Sequence, residues 1–296
     1  MAIIGLLISI LLPSLHAARE QSRTVKCIAN LKGIGSTMLM YLTEHDDWFP
    51  FEKRNWPSGT TGSGFVVSAF YYGGHPGSPS VGDQTSYTFD YDYLRDTFRG
   101  RPFNPYLYQG LSDIKEKKED ADKPGFWEER KQFGLFACPS DTGGFFNSET
   151  QSDGKQYLSI HHLNGSSYDL NYHFIWAWAA RSAVPGYAAY TGDTKRLRYH
   201  ERGNKFLARQ RNNGNGSRFI ILMEDPFDSS LMNRFLRVGW HKQWGKHSFL
   251  FLDGHAGNNY ADVVTDTKGA GWKTASGAWY NDPEDPDYQY RDLTPF

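Results

Sequence analysis

The first fifty residues show two hydrophobic patterns in succession. Residues 2–12 form an uninterrupted apolar run, and after Pro13 the apolar residues recur in steps of three and four, which is typical of one face of an amphipathic helix. The large apolar residues of the first pattern are Ile3, Ile4, Leu6, Leu7, Ile10 and Leu11. The second pattern consists of Cys27, Ile28, Leu31, Ile34, Met38, Tyr41 and Leu42. We predict a helix that is apolar all round at one end and amphipathic at the other, with a kink or a new start at Pro13.

The pattern changes after residue 45. Asp46, Asp47 and Pro50 predict the end of the helix, and short apolar runs bounded by polar or glycine residues then predict β-strands. The strongest of these runs are 219–223 and 248–252, and two weaker ones are 64–72 and 170–178. Asp253-Gly254 lies between two apolar runs and predicts a tight hairpin turn, and the polar segment 210–217 predicts a loop.

These patterns predict an α+β fold with two regions. Residues 1–45 would form the hydrophobic-to-amphipathic helix, and residues 46–296 a β-rich antiparallel-sheet head on which the amphipathic half of the helix packs. A helix over residues 2–44 would extend roughly 65 Å at ~1.5 Å per residue. Its apolar half is suited to an anchor, and its amphipathic half to a spine that supports the head.

Composition and charge narrow the class of protein. The chain has 296 residues, with 32 Lys+Arg against 33 Asp+Glu, so its net charge of -1 gives no general attraction to nucleic acid. A hydrophobic share of 39% excludes a polytopic membrane protein, and an aromatic share of 16% excludes a disordered chain. We therefore expect a folded, aromatic-rich head and no nucleic-acid partner.

The apolar run allows four interpretations, because it is about half the ~20 residues that a membrane-spanning helix needs. It could be a signal peptide, although nothing basic precedes it, or a buried core helix. It could also be an interfacial anchor, followed by the basic residues Arg19, Arg23 and Lys26. In the fourth interpretation Met1 is not the biological start, and the run is the end of a longer transmembrane helix. The trailing basic residues would otherwise favour a cytoplasmic C-terminal side.

Several segments together resemble one family. The stretch 2–42 is similar to the N-terminal helix of type IV pilin-like proteins, in particular those with a prepilin-type cleavage/methylation segment. Further segments that fit this group are Cys138-Pro139-Ser140-Asp141, and Ser167-Tyr168 with Asn171. Members normally begin with a basic leader and a Phe-Thr-Leu-Ile-Glu-Leu-Leu block, and neither is present here. We therefore expect the chain to be truncated, or to start at an internal Met, relative to the family pattern.

The resemblance implies a structural function. In type IV pili and type II secretion pseudopili, the leader is cleaved, the new N-terminus is methylated, and the helices pack into a filament core that displays the heads. The expected partners are other copies of this chain, the pilus or secretion assembly machinery, and the inner membrane before assembly. The head would lie outside the cytoplasm, in the periplasm or at the cell surface. We expect no enzymatic activity.

Cys27 and Cys138 are the two cysteines of the chain, too few for a disulfide scaffold or a cysteine zinc cluster. In an oxidising compartment they could form one disulfide. The alternative is two unrelated buried thiols.

Two metal sites are weighed in the head. His247 and Asp253 would share one side of a strand, and His255 could approach them across the turn, so that the three could hold zinc or another divalent metal. Alternatively, Asp253 caps its own turn and the histidines only flank the hairpin. This element resembles the His-x9-Asp-Gly signature of the pilin-like group, although eleven residues separate His241 from Asp253 here, and we interpret it as structural.

Calcium is the second possibility, because pseudopilins related to this family carry a calcium site in the C-terminal head. The acidic residues considered for it are Asp282, Glu284, Asp285 and Asp287, with Glu224-Asp225 as a further contribution.

Two other classes of function remain as alternatives. One is a membrane-anchored binding protein, such as a glycan-binding adhesin, that uses the pilin-like helix only as an anchor. The other is a secreted metal-dependent enzyme that uses His247, Asp253 and His255. No G-x-S-x-G, P-loop or H-E-x-x-H motif occurs in the chain, which disfavours the common hydrolase and nucleotide-binding classes.

Overall fold

A computed structural model describes residues 2–50, 72–74, 101–109, 131–142, 159–161, 165–171, 203–227, 238–262 and 273–274. Its helices are α1 (Ala2–Glu44), α2 (Asn104–Leu107) and α3 (203–212), with 3-10 helices at Lys131–Phe136 and Gly216–Arg218. Its strands are β1 (Tyr168–Leu170), β2 (Ile220–Glu224), β3 (Lys246–Phe251), β4 (Ala256–Asp262) and β5 (Lys273–Thr274). The long N-terminal helix and the antiparallel sheet confirm the predicted α+β class.

Helix α1 runs without a break from Ala2 to Glu44 and contains Pro13 in its interior. The new helix start that we considered at Pro13 is therefore wrong. The predicted C-terminal end is confirmed, because Asp46 and Asp47 adopt left-handed backbone angles, with φ of 53° and 63°. The Asp47 N–H donates to the Leu42 carbonyl at 2.8 Å and satisfies one of the free carbonyls at the helix end.

The strands form one sheet in the order β1-β2-β3-β4-β5, and each neighbouring pair is antiparallel. The predicted runs 219–223 and 248–252 correspond to β2 and β3, the central strands. All five residues of β2 are buried, which explains why that strand reads as a continuous apolar run rather than as an alternating one. The weaker run 170–178 is described only at its beginning, in β1, and 64–71 lies outside the described residues.

The amphipathic half of α1 packs on β3, β4 and the 3-10 helix Lys131–Phe136. The predicted stripe is confirmed by burial, since its central members Leu31, Ile34 and Met38 are all 0% exposed. Gly35 brings the helix closest to the head, because a Cβ placed there would lie 2.7 Å from the Gly254 carbonyl oxygen. The amphipathic half of α1 and the sheet therefore share one hydrophobic core.

Two local predictions need correction. The connection between β3 and β4 is a hairpin, as predicted, but it spans residues 252–255 and only Gly254 adopts a positive φ, of 89°. It is therefore longer than a two-residue Asp-Gly turn. The segment 210–217 is not entirely a loop, because α3 continues to residue 212 and buries the Gln210 side chain.

Candidate functional site

The site lies where three distant segments meet beneath α1. Cys27 comes from the helix itself, Cys138 follows the 3-10 helix Lys131–Phe136, and His241 lies in the turn that precedes β3. One ligand atom from each of the three residues lies within 4.8 Å of the other two. All three side chains are buried, so the cluster is closed to bulk solvent.

His241 connects the two cysteines to an acidic residue. Its Nε2 lies 3.6 Å from the Cys138 Sγ, and its Nδ1 lies 3.1 Å from the Glu20 Oε1. A carboxylate accepts hydrogen bonds and does not donate them, so Nδ1 must carry the proton of this contact. In the neutral ring, Nε2 then presents its lone pair to the sulfur atoms.

Each member of the cluster is fixed by its own local contacts. Glu20 lies seven residues before Cys27, which places both on the same face of α1, and it also accepts a hydrogen bond from Ser140. The Cys138 N–H donates to the Ser167 Oγ at 2.9 Å. The His241 turn is tight, since the Lys242 N–H donates to the Gly239 carbonyl at 2.9 Å.

Two further hydrogen bonds attach the segment that precedes Cys138 to the helix. The Asn30 Nδ2 donates to the Gly134 carbonyl at 3.0 Å and to the Ala137 carbonyl at 2.8 Å. Asn30 is itself almost completely buried and lies one turn after Cys27 on α1. The helix therefore positions both its own cysteine and the loop that carries the other one.

The cluster changes the acidity of its members in opposite directions. Burial alone would raise the pKa of Cys27, but hydrogen bonds from Cys138 and His241 outweigh it and lower that pKa to about 6. Burial and the neighbouring Cys27 raise the pKa of Cys138 well above its ordinary value. Cys27 is therefore the more acidic of the two cysteines.

The other two members favour their charged forms. Burial opposes charge on His241, yet its contacts with Cys27, Glu224 and Glu20 raise its pKa. Burial likewise opposes charge on Glu20, and hydrogen bonds from Ser140, His241 and Arg23 lower its pKa despite that. The cluster therefore favours a positive charge on His241 and a negative charge on the neighbouring Glu20.

A buried contact between a histidine and a glutamate lies beside the cluster. The His247 Nδ1 contacts the Glu224 Oε1 at 2.8 Å, and both side chains are fully buried. Gly239 covers the pair so closely that a Cβ there would lie 2.4 Å from the Glu224 Oε1. Among the described residues, the Glu224 Oε2 and the His247 Nε2 have no hydrogen-bond partner. The nearby Glu224 contributes to the raised pKa values of Cys138 and His241, and it opposes the lowering of the Cys27 pKa.

The predicted metal-binding set is not brought together in this arrangement. His247 packs against Glu224 inside the head, whereas Asp253 and His255 are partly exposed at the hairpin. Asp253 Oδ1 accepts hydrogen bonds from the His255 N–H at 3.1 Å and lies 2.6 Å from its Nδ1. This is the alternative interpretation, in which Asp253 caps its own turn.

The remaining predictions meet different outcomes. Cys27 and Cys138, named as a possible disulfide, are adjacent but unbonded thiols in this structure. Glu224, weighed for calcium, is engaged by His247. The other acidic residues weighed for calcium, in 282–287, lie outside the described residues.

Two members of the cluster were missed from the sequence. His241 lies in the histidine-rich segment before β3, but the choice between it and His247 depends on how the turn folds. Glu20 could have been found, because its spacing of seven residues from Cys27 is two helical turns.

The length and composition of α1 bear on membrane anchoring, and one comparison with known families places the chain. Helix α1 is long and apolar enough to cross a membrane over Ile3–Glu44, which is compatible with membrane anchoring and also with a signal sequence. No curated protein and no solved structure matches the chain. The model of one family, described as a protein of unknown function (DUF1559), matches residues 16–201, which is more than half of the chain and includes both cysteines. The chain therefore belongs to the DUF1559 family.

Proposed function

We propose that this protein is a pilin-like subunit, anchored by the apolar half of α1 and assembled through that helix into a filament of identical copies. The observation that carries the proposal is the exposure of that half. Nine large apolar side chains between Ile3 and Leu15 are 49% to 75% exposed, and with 3.6 residues per turn they cover about two-thirds of the helix circumference. An exposed apolar surface of that width needs lipid or other helices to cover it.

The energetic scale supports a partner for this segment. Full burial of one Leu or Ile side chain is worth roughly 1.5–3 kcal/mol, and since these nine are already partly covered, burying their exposed area is worth on the order of 10 kcal/mol. The head does not supply this burial, because within the described residues α1 is exposed from Ile3 to Arg19. A membrane before assembly and a bundle of equivalent helices after assembly would each supply it.

The rest of α1 supports a spine. The stripe from Cys27 to Leu42 is buried on the head, so the exposed and packed halves belong to one continuous helix. A filament built from such subunits would hold the heads at a fixed position relative to its core. The proposed role is structural rather than catalytic, with the head outside the cytoplasm and the pilus or secretion machinery as assembly partner.

Anchoring is tested by introducing charge into the apolar half. We expect the full chain to remain in bacterial membranes after alkaline extraction, and Leu7→Glu/Leu11→Glu to release it, because a charged residue at the centre of a membrane helix costs about 2.5–3.5 kcal/mol. Val25→Glu is the matched control, since Val25 is also 60% exposed but lies beyond the apolar run. Retention of the double variant in the membrane would contradict the anchoring proposal.

Filament assembly needs its own measurement. Mass spectrometry of the native N-terminus in a sheared cell-surface fraction should find a methylated residue upstream of Ala2, in material that electron microscopy shows to be filamentous. An unmodified Met1 on a cell-associated monomer would exclude the filament. It would favour the anchored binding protein, for which specific glycan binding by the monomer is the next test.

A further inference from the structure

We infer that Cys27, Cys138 and His241 form a binding site for a thiolate-preferring divalent metal such as zinc, which fastens α1 to the head. This site goes beyond the proposed structural function and does not depend on it. The three side chains come from segments more than 100 residues apart, so a shared metal would tie the helix, the loop after the 3-10 helix and the turn before β3 at one point.

The spacing of the ligand atoms fits a tetrahedral ion. With Zn–S near 2.3 Å and Zn–N near 2.0–2.1 Å, tetrahedral angles place the nitrogen and sulfur ligands about 3.6 Å apart and two sulfurs about 3.8 Å apart. The Nε2 of His241 and the Sγ of Cys138 are separated by 3.6 Å, and all three ligand atoms lie within 4.8 Å of one another. The side chains therefore need little rearrangement to surround the ion.

Glu20 provides the outer contact that zinc-binding histidines usually have. Such a histidine donates its second ring N–H to a carboxylate or carbonyl, which fixes the ring and makes the ligand nitrogen more basic. Here Nδ1 of His241 faces Glu20 at 3.1 Å while Nε2 faces the sulfurs. Glu20 is held in turn by Ser140 and by Arg23, the latter at 3.3 Å.

The charges balance when the ion binds. A divalent cation would bind both cysteines as thiolates and His241 through the lone pair of Nε2, and any protons on these three ligand atoms would leave to solvent. Two thiolates then neutralise its two positive charges. The fourth tetrahedral position is left to a water molecule or to the hydroxyl of Tyr168, which lies 3.2 Å from the Cys27 Sγ.

A disulfide is the competing fate of the same two sulfurs. It would need an external oxidant, and it would remove both thiolates from the metal site. A disulfide would also leave the Glu20–His241 contact unexplained, whereas in a metal site this contact orients the histidine ligand. The experiment must therefore count thiols as well as metal.

The test uses the full chain, purified in detergent under reducing conditions, stripped with a chelator and titrated with Co²⁺. We expect one ion per chain, with a thiolate-to-cobalt charge-transfer band in the near ultraviolet and the intense visible bands of tetrahedral cobalt. Zn²⁺ should then displace Co²⁺ and abolish both. Two titratable thiols with no such band would overturn the proposal, as would an intact mass of the native protein lower by two hydrogens with no free thiol.

Substitutions distinguish the three residues that would bind the metal from Glu20, which would only position His241. Cys27→Ser, Cys138→Ser and His241→Gln should each weaken Co²⁺ binding at least 100-fold. Glu20→Gln should weaken it 10–100-fold while keeping the spectrum of the bound ion, because it only positions the histidine. His255→Gln is the matched control, since that histidine is exposed and contacts Asp253 at the hairpin. An unchanged affinity in His241→Gln, or an equal loss in His255→Gln, would contradict the assignment.

This experiment is independent of the anchoring test. Loss of metal binding leaves the exposed apolar half of α1 unaffected, and loss of membrane retention leaves the buried cluster intact. The two proposals therefore fail separately.

Discussion

The two halves of α1 differ in environment although they share one secondary structure. Between Ile3 and Leu15 the large apolar side chains are exposed over about two-thirds of the helix circumference, whereas the stripe from Cys27 to Leu42 is buried against the head. The helix continues through both halves and lacks only the backbone hydrogen bond that Pro13, without an N–H, does not donate, so the secondary structure itself does not distinguish the halves. The distribution of apolar residues around the axis does, because the second half confines them to one face. The surroundings of a long helix can therefore differ from one segment to the next, and the apolar pattern of each segment indicates them.

The largest expected difference between the halves comes from truncating a leucine in each. Leu31→Ala should lower the free energy of unfolding of the head by about 2–5 kcal/mol, because Leu31 is fully buried and its removal leaves a cavity. Leu11→Ala should change it by less than about 0.5 kcal/mol, since Leu11 is exposed. Urea unfolding of the full chain in detergent, followed by the fluorescence of its nine tryptophans, measures both. Equal losses would mean that the apolar half also packs on the head.

A smaller difference is expected from adding a methyl group at a glycine. Gly35→Ala should destabilise the head by about 1–3 kcal/mol, because the new Cβ would meet the Gly254 carbonyl oxygen and the Leu250 side chain, each at 2.7 Å. Gly5→Ala is the matched control in the apolar half, where no atom lies within 4 Å of the new Cβ. The same unfolding measurement applies. A neutral Gly35→Ala would show that the helix does not approach the hairpin as closely as the structure has it.

The smallest difference concerns polar side chains. Asn30→Ala should cost about 1–2 kcal/mol, because it leaves the carbonyls of Gly134 and Ala137 without their side-chain donor. Ser14→Ala should be nearly neutral, since the Ser14 hydroxyl bonds only the Leu11 carbonyl in its own exposed helix. Hydrogen exchange of the amides around Cys138 provides a second measurement. Unchanged protection there in Asn30→Ala would show that Asn30 does not hold this loop.

Much of the fold could be predicted because it follows from the spacing of apolar residues within short segments of the chain. The stripe of α1, its end at Asp46 and Asp47, and the strands β2 and β3 all follow from the spacing of apolar residues and from residues that tolerate left-handed backbone angles. Helix α3 was not predicted, and its last turn, at 210–212, was predicted as a loop because it is polar in sequence. Gln210 is nevertheless buried, so tertiary packing overrides its polarity there.

The cluster could be predicted only in part, because it depends on contacts between residues far apart in the chain. Cys27 faces the head by its place in the stripe, and Glu20 follows from the same helical repeat. Nothing local indicates that the loop after the 3-10 helix brings Cys138 to the helix. The sequence likewise offers two histidines six residues apart, and only the turn at Gly239 and Lys242 decides that His241 joins the sulfurs while His247 joins Glu224.

The close contact of Gly35 with Gly254 has a mechanical consequence. A helix that moved by one residue along its axis would advance about 1.5 Å and rotate by about 100°, which would bring Ile34 or Ser36 to the place where the hairpin backbone leaves no room for a side chain. The helix can therefore sit on the head in only one register. A pulling force along α1 would be passed to the sheet through this contact as shear, without slippage between the two.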